Sequence, residues 1–127
     1  MNGRTFFALA FAVAACSSHS DSDSSSKPTA EQHEHEMESM SPQLARFHDL
    51  LAPHWHAPPG TARRQTTCED IGDFKKRAAD VPNAKELVAA VAALESACMS
   101  KDADAAFDPA FAKVHDAFHH LLDAGKP

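Results

Sequence analysis

Two short segments carry the same chemistry. LARFHDLL, residues 44–51, and FAKVHDAF, residues 111–118, both read apolar, Ala, basic, apolar, His, Asp, with an apolar residue three beyond the histidine. His119 follows His115 by four, so the two imidazoles lie on one face of any helix that holds them. Neutral imidazole is the commonest protein metal ligand near neutral pH. If the two segments lie on adjacent antiparallel helices with Trp55 level with Asp108, His48 and His115 fall at one height. His48, His115 and His119 are then the expected metal ligands. Three imidazoles with an open coordination position suit Zn²⁺, Cu²⁺ or Ni²⁺. Asp49 and Asp116 are adjacent to their histidines, so on a helix they point about 100° away and could act only as outer partners. His54 and His56 flank Trp55 and form a secondary, looser candidate. His120 projects away from the apolar stripe and reads as a solvated side chain. A second reading stays open: the histidines hydrogen-bond one another or the backbone and only define packing.

These residues need helices to position them, and the apolar spacing supplies four. Ser41-Pro42 is an N-cap followed by proline at the first helical position. Leu44, Phe47, Leu51 and Trp55 form the first stripe, which Pro53 bends or ends and His56-Ala57-Pro58-Pro59-Gly60 closes. Thr66-Thr67-Cys68-Glu69 matches a capping box and opens a second helix, with Cys68, Ile71, Phe74, Ala78 and Val81 on its stripe. Asn83, with Glu86 three residues on, caps a third, with Leu87, Val91, Leu94 and Cys98. Asp108-Pro109 opens a fourth, with Phe107, Phe111, Val114, Phe118 and Leu121, and Gly125 stops it. No alternating strand pattern interrupts them. The expected fold is all-α: a small antiparallel up-down four-helix bundle over residues 42–127, after an N-terminal tether.

Cys68 and Cys98 lie at similar distances on either side of the turn at Pro82, each on the apolar stripe of its helix. In an antiparallel hairpin they sit at nearly one height, and a disulfide between them would staple a domain small enough to benefit. The alternative is a reactive thiolate, since Cys68 near a helix N-terminus would have a lowered pKa.

The segment Lys113-Val114-His115-Asp116-Ala117-Phe118-His119 resembles the last helix of the four-helix-bundle cytochromes, the soluble b-type and c-prime group. The resemblance covers about ten residues. It implies His115 as an axial haem ligand. The two-cysteine signature of covalent haem is missing, and the b-type methionine partner is represented only by Met37 and Met40, which precede the first helix and lie too low to face His115. A haem-free relative that keeps the bundle and holds a metal fits these residues better than haem.

The remaining sequence gives an address. The chain has 127 residues, 9 histidines, 3 cysteines and a net charge of −6 with histidine neutral. Arg4 precedes an apolar run over residues 6–15, shorter than the roughly 20 residues that span a bilayer. The run ends in Val13-Ala14-Ala15-Cys16. An ordinary secretory signal would account for the run, but these four residues resemble the lipobox of bacterial lipoproteins. The resemblance implies removal of residues 1–15, a diacylglycerol on Cys16, and a membrane partner held through lipid. Ser17 after the cysteine is what that family associates with the outer membrane, here facing the periplasm. Removing Arg4 from the 12 basic side chains leaves 11 against 18 acidic, a charge of −7. That disfavours nucleic acid and anionic lipid surfaces as partners. Residues 16–41 are polar, with few apolar side chains, and read as a flexible linker. Within it His33-Glu34-His35-Glu36 could take up metal loosely, though a spacer is the plainer reading. The sequence has no HExxH, no Gly-rich phosphate loop and no nucleophile with an ordered base. The expectation is therefore a non-catalytic lipoprotein that binds a transition metal. The alternatives are a ligand-free module with an envelope protein partner and, third, a haem electron carrier.

Overall fold

Residues 40–126 are described in a computed structural model. They form five α-helices and, among the described residues, no strand: α1 (Pro42–His56), α2 (Thr61–Glu69), α3 (Ile71–Asp80), α4 (Lys85–Cys98) and α5 (Ala103–Ala124). Cys16, most of the 16–41 linker, His33, His35 and Met37 lie outside the described residues.

The first helix starts as its sequence demands. The Ser41 hydroxyl accepts a hydrogen bond from the Leu44 amide at 3.2 Å, and Pro42 occupies the first turn, where a missing N–H costs nothing. Pro53 does not end α1. The helix runs on to His56, and the Ala57 amide still reaches the Pro53 carbonyl at 3.2 Å.

Three helix starts differ from the sequence expectation. Thr66-Thr67-Cys68-Glu69 is not a capping box but the end of α2, which begins at Thr61 after Gly60 (φ 137°, ψ −171°). The Thr66 and Thr67 hydroxyls donate back to the carbonyls of Ala62 and Arg63, at 2.8–3.1 Å, as mid-helix threonines do. The chain then breaks at Asp70 and restarts as α3, so the expected second helix is two. Cys68 accordingly stands at the end of a helix rather than at its N-terminus. Asn83 is not the cap of α4. It takes a left-handed turn conformation (φ 57°), which asparagine tolerates, and Ala84 precedes the helix. Finally, α5 starts at Ala103 and carries Pro109 in its interior, where Asp108-Pro109 was expected to open it.

The apolar stripes meet as their spacing requires. Leu44, Phe47 and Leu51 of α1 are buried with Phe74 and Ala78 of α3, Leu87, Val91 and Leu94 of α4, and Phe107, Phe111, Val114 and Phe118 of α5. In α5 Leu122 is buried and Leu121 only half-buried. A ladder of phenylalanines runs through this core. Phe47 meets Phe74 edge-on at 5.8 Å, Phe74 meets Phe111 at 6.4 Å, and Phe111 meets Phe107 at 5.2 Å.

Side-chain contacts join the helices in a bundle-like packing. On α1 and α3, Arg77 donates to the Arg46 carbonyl at 2.6 Å, while His54 reaches Asp70 at 3.0 Å. On α3 and α4, Lys75 meets Glu95 at 2.9 Å. On α4 and α5, Glu86 meets His120 at 3.4 Å. On α5 and α1, Phe118 meets Phe47 and Phe111 meets Trp55. The short α2 lies against α5 through charge. Arg63 bonds Asp108 at 2.7 Å with its guanidinium 5.7 Å from the Phe111 ring centre, and Arg64 bonds Asp104 at 2.8 Å. Cys68 and Cys98 come together at disulfide distance, their Cα atoms 5.7 Å apart, and tie the end of α2 to the end of α4. Among the described residues no helix is long and apolar enough to cross a membrane.

Candidate functional site: a histidine pair on an aromatic face

His115 and His119 lie one turn apart on α5, and the rest of the fold determines how their rings stand. Trp55, in the last turn of α1, lies face to face on the His115 imidazole, with centroids 3.9 Å apart and planes 9° from parallel. Phe111 braces the indole edge-on at 5.4 Å. Phe118 meets the His119 ring edge-on, also at 5.4 Å. Between these supports the two imidazoles approach to 4.4 Å, with Nε2 of His119 3.2 Å from Nε2 of His115.

That spacing permits two states. In the metal-free pair one Nε2 carries the proton and donates to the lone pair of the other. Alternatively, both lone pairs can take a cation once that proton has moved to Nδ1 of its own ring. Two metal–nitrogen bonds of about 2.05 Å to nitrogens 3.2 Å apart enclose an angle of about 100°, a reasonable bite for a chelate. His115 is suited to stay neutral, the form that can ligate a metal. Its burial disfavours the charged form and lowers its pKa from 6.5, and the neighbouring His119 and His56 lower it further, against a smaller opposing effect of Asp116. The Asp116 carboxylate lies 4.0 Å from Nδ1 of His115, on the nitrogen that faces away from His119.

The other expected ligands are placed differently. Trp55 packs on Phe111 and His115, nearly one and nearly two turns further along α5 than Asp108. His48 stacks on Phe118 at 5.4 Å. His54 and His56 do not form a pair either. His54 turns inward, its Nε2 3.0 Å from Asp70 and its Nδ1 3.3 Å from the Thr67 hydroxyl, with its ring 5.5 Å from Phe74. His56 is exposed and close enough to His115 to act on its pKa. His120 is exposed and bridges to Glu86. Among the described residues no three His, Cys, Asp or Glu side chains are grouped to hold a metal ion within one chain.

The Thr67–His54–Asp70 chain was not visible in the sequence, because α2 was not. It has the residue types of a nucleophile, base and orienting acid, but Thr67 is 0 % exposed and its hydroxyl also reaches the Arg63 carbonyl. No substrate can reach it, so it serves as a brace between α1 and the α2–α3 corner.

Met40, considered as a haem partner, packs against the core at the opposite end of α1. There it lines a depression of about 220 Å³ with Leu44, Val81 and Leu122. A shallow apolar groove of about 420 Å³ runs between α4 and α5, floored by Ala89, Ala93 and Ala117. Neither hollow includes His115 or His119. Compared with models of known families, with curated proteins and with solved structures, the chain finds no match in any of the three.

Proposed function

We propose that this chain is a lipid-anchored protein of the bacterial cell envelope whose helical domain binds a divalent transition metal without catalysing a reaction. The observation that carries the metal reading is the Nε2–Nε2 distance of 3.2 Å between His115 and His119, held by Trp55 and Phe118. Zn²⁺, Cu²⁺ and Ni²⁺ all accept imidazole in such a bite. The anchor reading is supported by Val13-Ala14-Ala15-Cys16 and the polar stretch that follows it, which would hold the domain off an outer-membrane leaflet facing the periplasm. In this reading α1, α3, α4 and α5 are the walls of an antiparallel up-down four-helix bundle, with α2 a strap across one end. The site is then a surface station for metal buffering, sensing or delivery.

One observation favours a second reading, a ligand-free interaction module. The two imidazoles already satisfy each other by hydrogen bonding, and Trp55 covers one face of His115. The experiment that separates them is metal analysis of the full chain, purified without an affinity tag or chelator, followed by titration with Zn²⁺, Cu²⁺ and Ni²⁺. The metal reading expects saturable uptake that His119→Ala removes with the helical circular dichroism unchanged. Uptake identical in wild type and His119→Ala would refute it, and a co-purifying envelope protein would then support the module. A Soret band in the same sample would instead name haem.

A further inference from the structure

We propose that the His115–His119 pair is half of a zinc site, and that a second copy of the chain supplies the other half. This rests on the chelating role argued above and adds the metal, its coordination number and the partner. Each chain offers two imidazoles where a closed tetrahedral site needs four ligands. No further side chain of the described residues completes the set. His54 is committed to Asp70 and Thr67. Asp116 lies 4.0 Å from the opposite nitrogen of His115, on the side away from His119, and so does not join the pair at the metal.

The bite selects the geometry. With bonds of about 2.05 Å, an ideal tetrahedral angle places two nitrogens about 3.35 Å apart, and a square-planar one about 2.9 Å. The observed 3.2 Å needs about half as much movement to become tetrahedral as to become square-planar. Zinc favours the tetrahedron. The pair is also reachable, because His119 is exposed on the outer face of α5.

A two-fold axis through the metal would bring His115 and His119 of both copies to one ion, the self-complementary contact that closed dimers use. Charge makes the contact conditional. Each chain carries −6, so two copies repel, and the metal with four neutral imidazoles places +2 at the contact. Association is therefore metal-dependent, with monomers in its absence.

Sedimentation velocity of the full chain with ZnCl₂ titrated from zero to two equivalents tests this. The expected result is a twofold rise in mass that saturates near half an equivalent of zinc per chain and is reversed by EDTA. His119→Ala, an exposed position, abolishes the rise with helicity intact, and His33→Ala with His35→Ala leaves it unchanged. One zinc per chain at monomer mass, lost in His119→Ala, would overturn the dimer and leave the chelate standing. Zinc uptake that His119→Ala does not alter would overturn both.

Discussion

Replacing Cys68 and Cys98 together with alanine should lower the melting temperature by about 20 °C. The two residues are 30 apart in sequence, and their sulfurs stand at bonding distance. For a loop of that length the chain-entropy model removes about 12 cal/mol/K from the unfolded chain, or about 3.6 kcal/mol at 25 °C. Residues 40–126 unfold with an entropy of roughly 180 cal/mol/K at about 2 cal/mol/K per residue, which converts that free energy to about 20 °C. Both cysteines are only half-buried, so lost packing adds little to the shift. The assay is thermal unfolding followed by far-ultraviolet circular dichroism on oxidised wild type, reduced wild type and the double variant. Reduced wild type should melt with the variant, and reductant should not move the variant further. The bridge ties the end of α2 beside Thr67, and Thr67 contacts His54 next to Trp55. Emission of Trp55, the one tryptophan in the sequence, should nevertheless stay unchanged below the transition, because the constraint acts on the unfolded chain. A shift under about 5 °C, or variant and reduced protein melting apart, would refute that account.

Further outcomes follow from single contacts. Pro109→Ala should raise stability by about 2 kcal/mol in urea unfolding. It restores the N–H that can bond the Ala105 carbonyl inside α5, a gain of roughly 3 kcal/mol offset by up to about 1 kcal/mol of unfolded-chain entropy; a lower midpoint would refute it. His54→Ala should cost about 1–3 kcal/mol in the same assay, because it strips Asp70 and Thr67 of a shared partner, while His120→Ala at the exposed Glu86 contact stays within about 0.5 kcal/mol. The metal-free protein should lose stability as pH falls below about 6.5. The His115 pKa is lowered by folding, so the unfolded chain binds the proton first; the contribution of this residue is complete above 6.5 and lost as pH falls through the folded value. His115→Gln should flatten that part of the pH–stability curve, and an unchanged slope would show that another group sets it.

The N-cap at Ser41, the stripe Leu44–Phe47–Leu51 and the phenylalanines of α5 were legible because helical periodicity is local: residues three and four apart must share a face wherever the helix packs. The half-turn alignment of Cys68 with Cys98 was legible for the same reason, since both are counted from one tight turn. The short α2 was not. TARRQTTCE has no apolar stripe, and what holds it is the Cys68–Cys98 bridge, the buried Thr67 beside His54 and two arginine–aspartate bridges to α5, none of which leaves a periodic signature in the segment. The extra length of α5 was hidden by Pro109, which reads as a start signal but lies within a helix whose other hydrogen bonds and buried face carry it through.

The candidate site divides along the same line. Sequence alone determined that His115 and His119 share a face, because four residues are one turn. Only the tertiary structure decided which third side chain meets them. The height of α1 against α5 is set by how bulky side chains interlock, and the indole of Trp55 fits against Phe111 and His115 rather than at Asp108. That shift carries His48 onto Phe118. Spacing within a helix is fixed by covalent geometry, but the sliding of one helix past another is fixed by the shapes of side chains far apart in sequence.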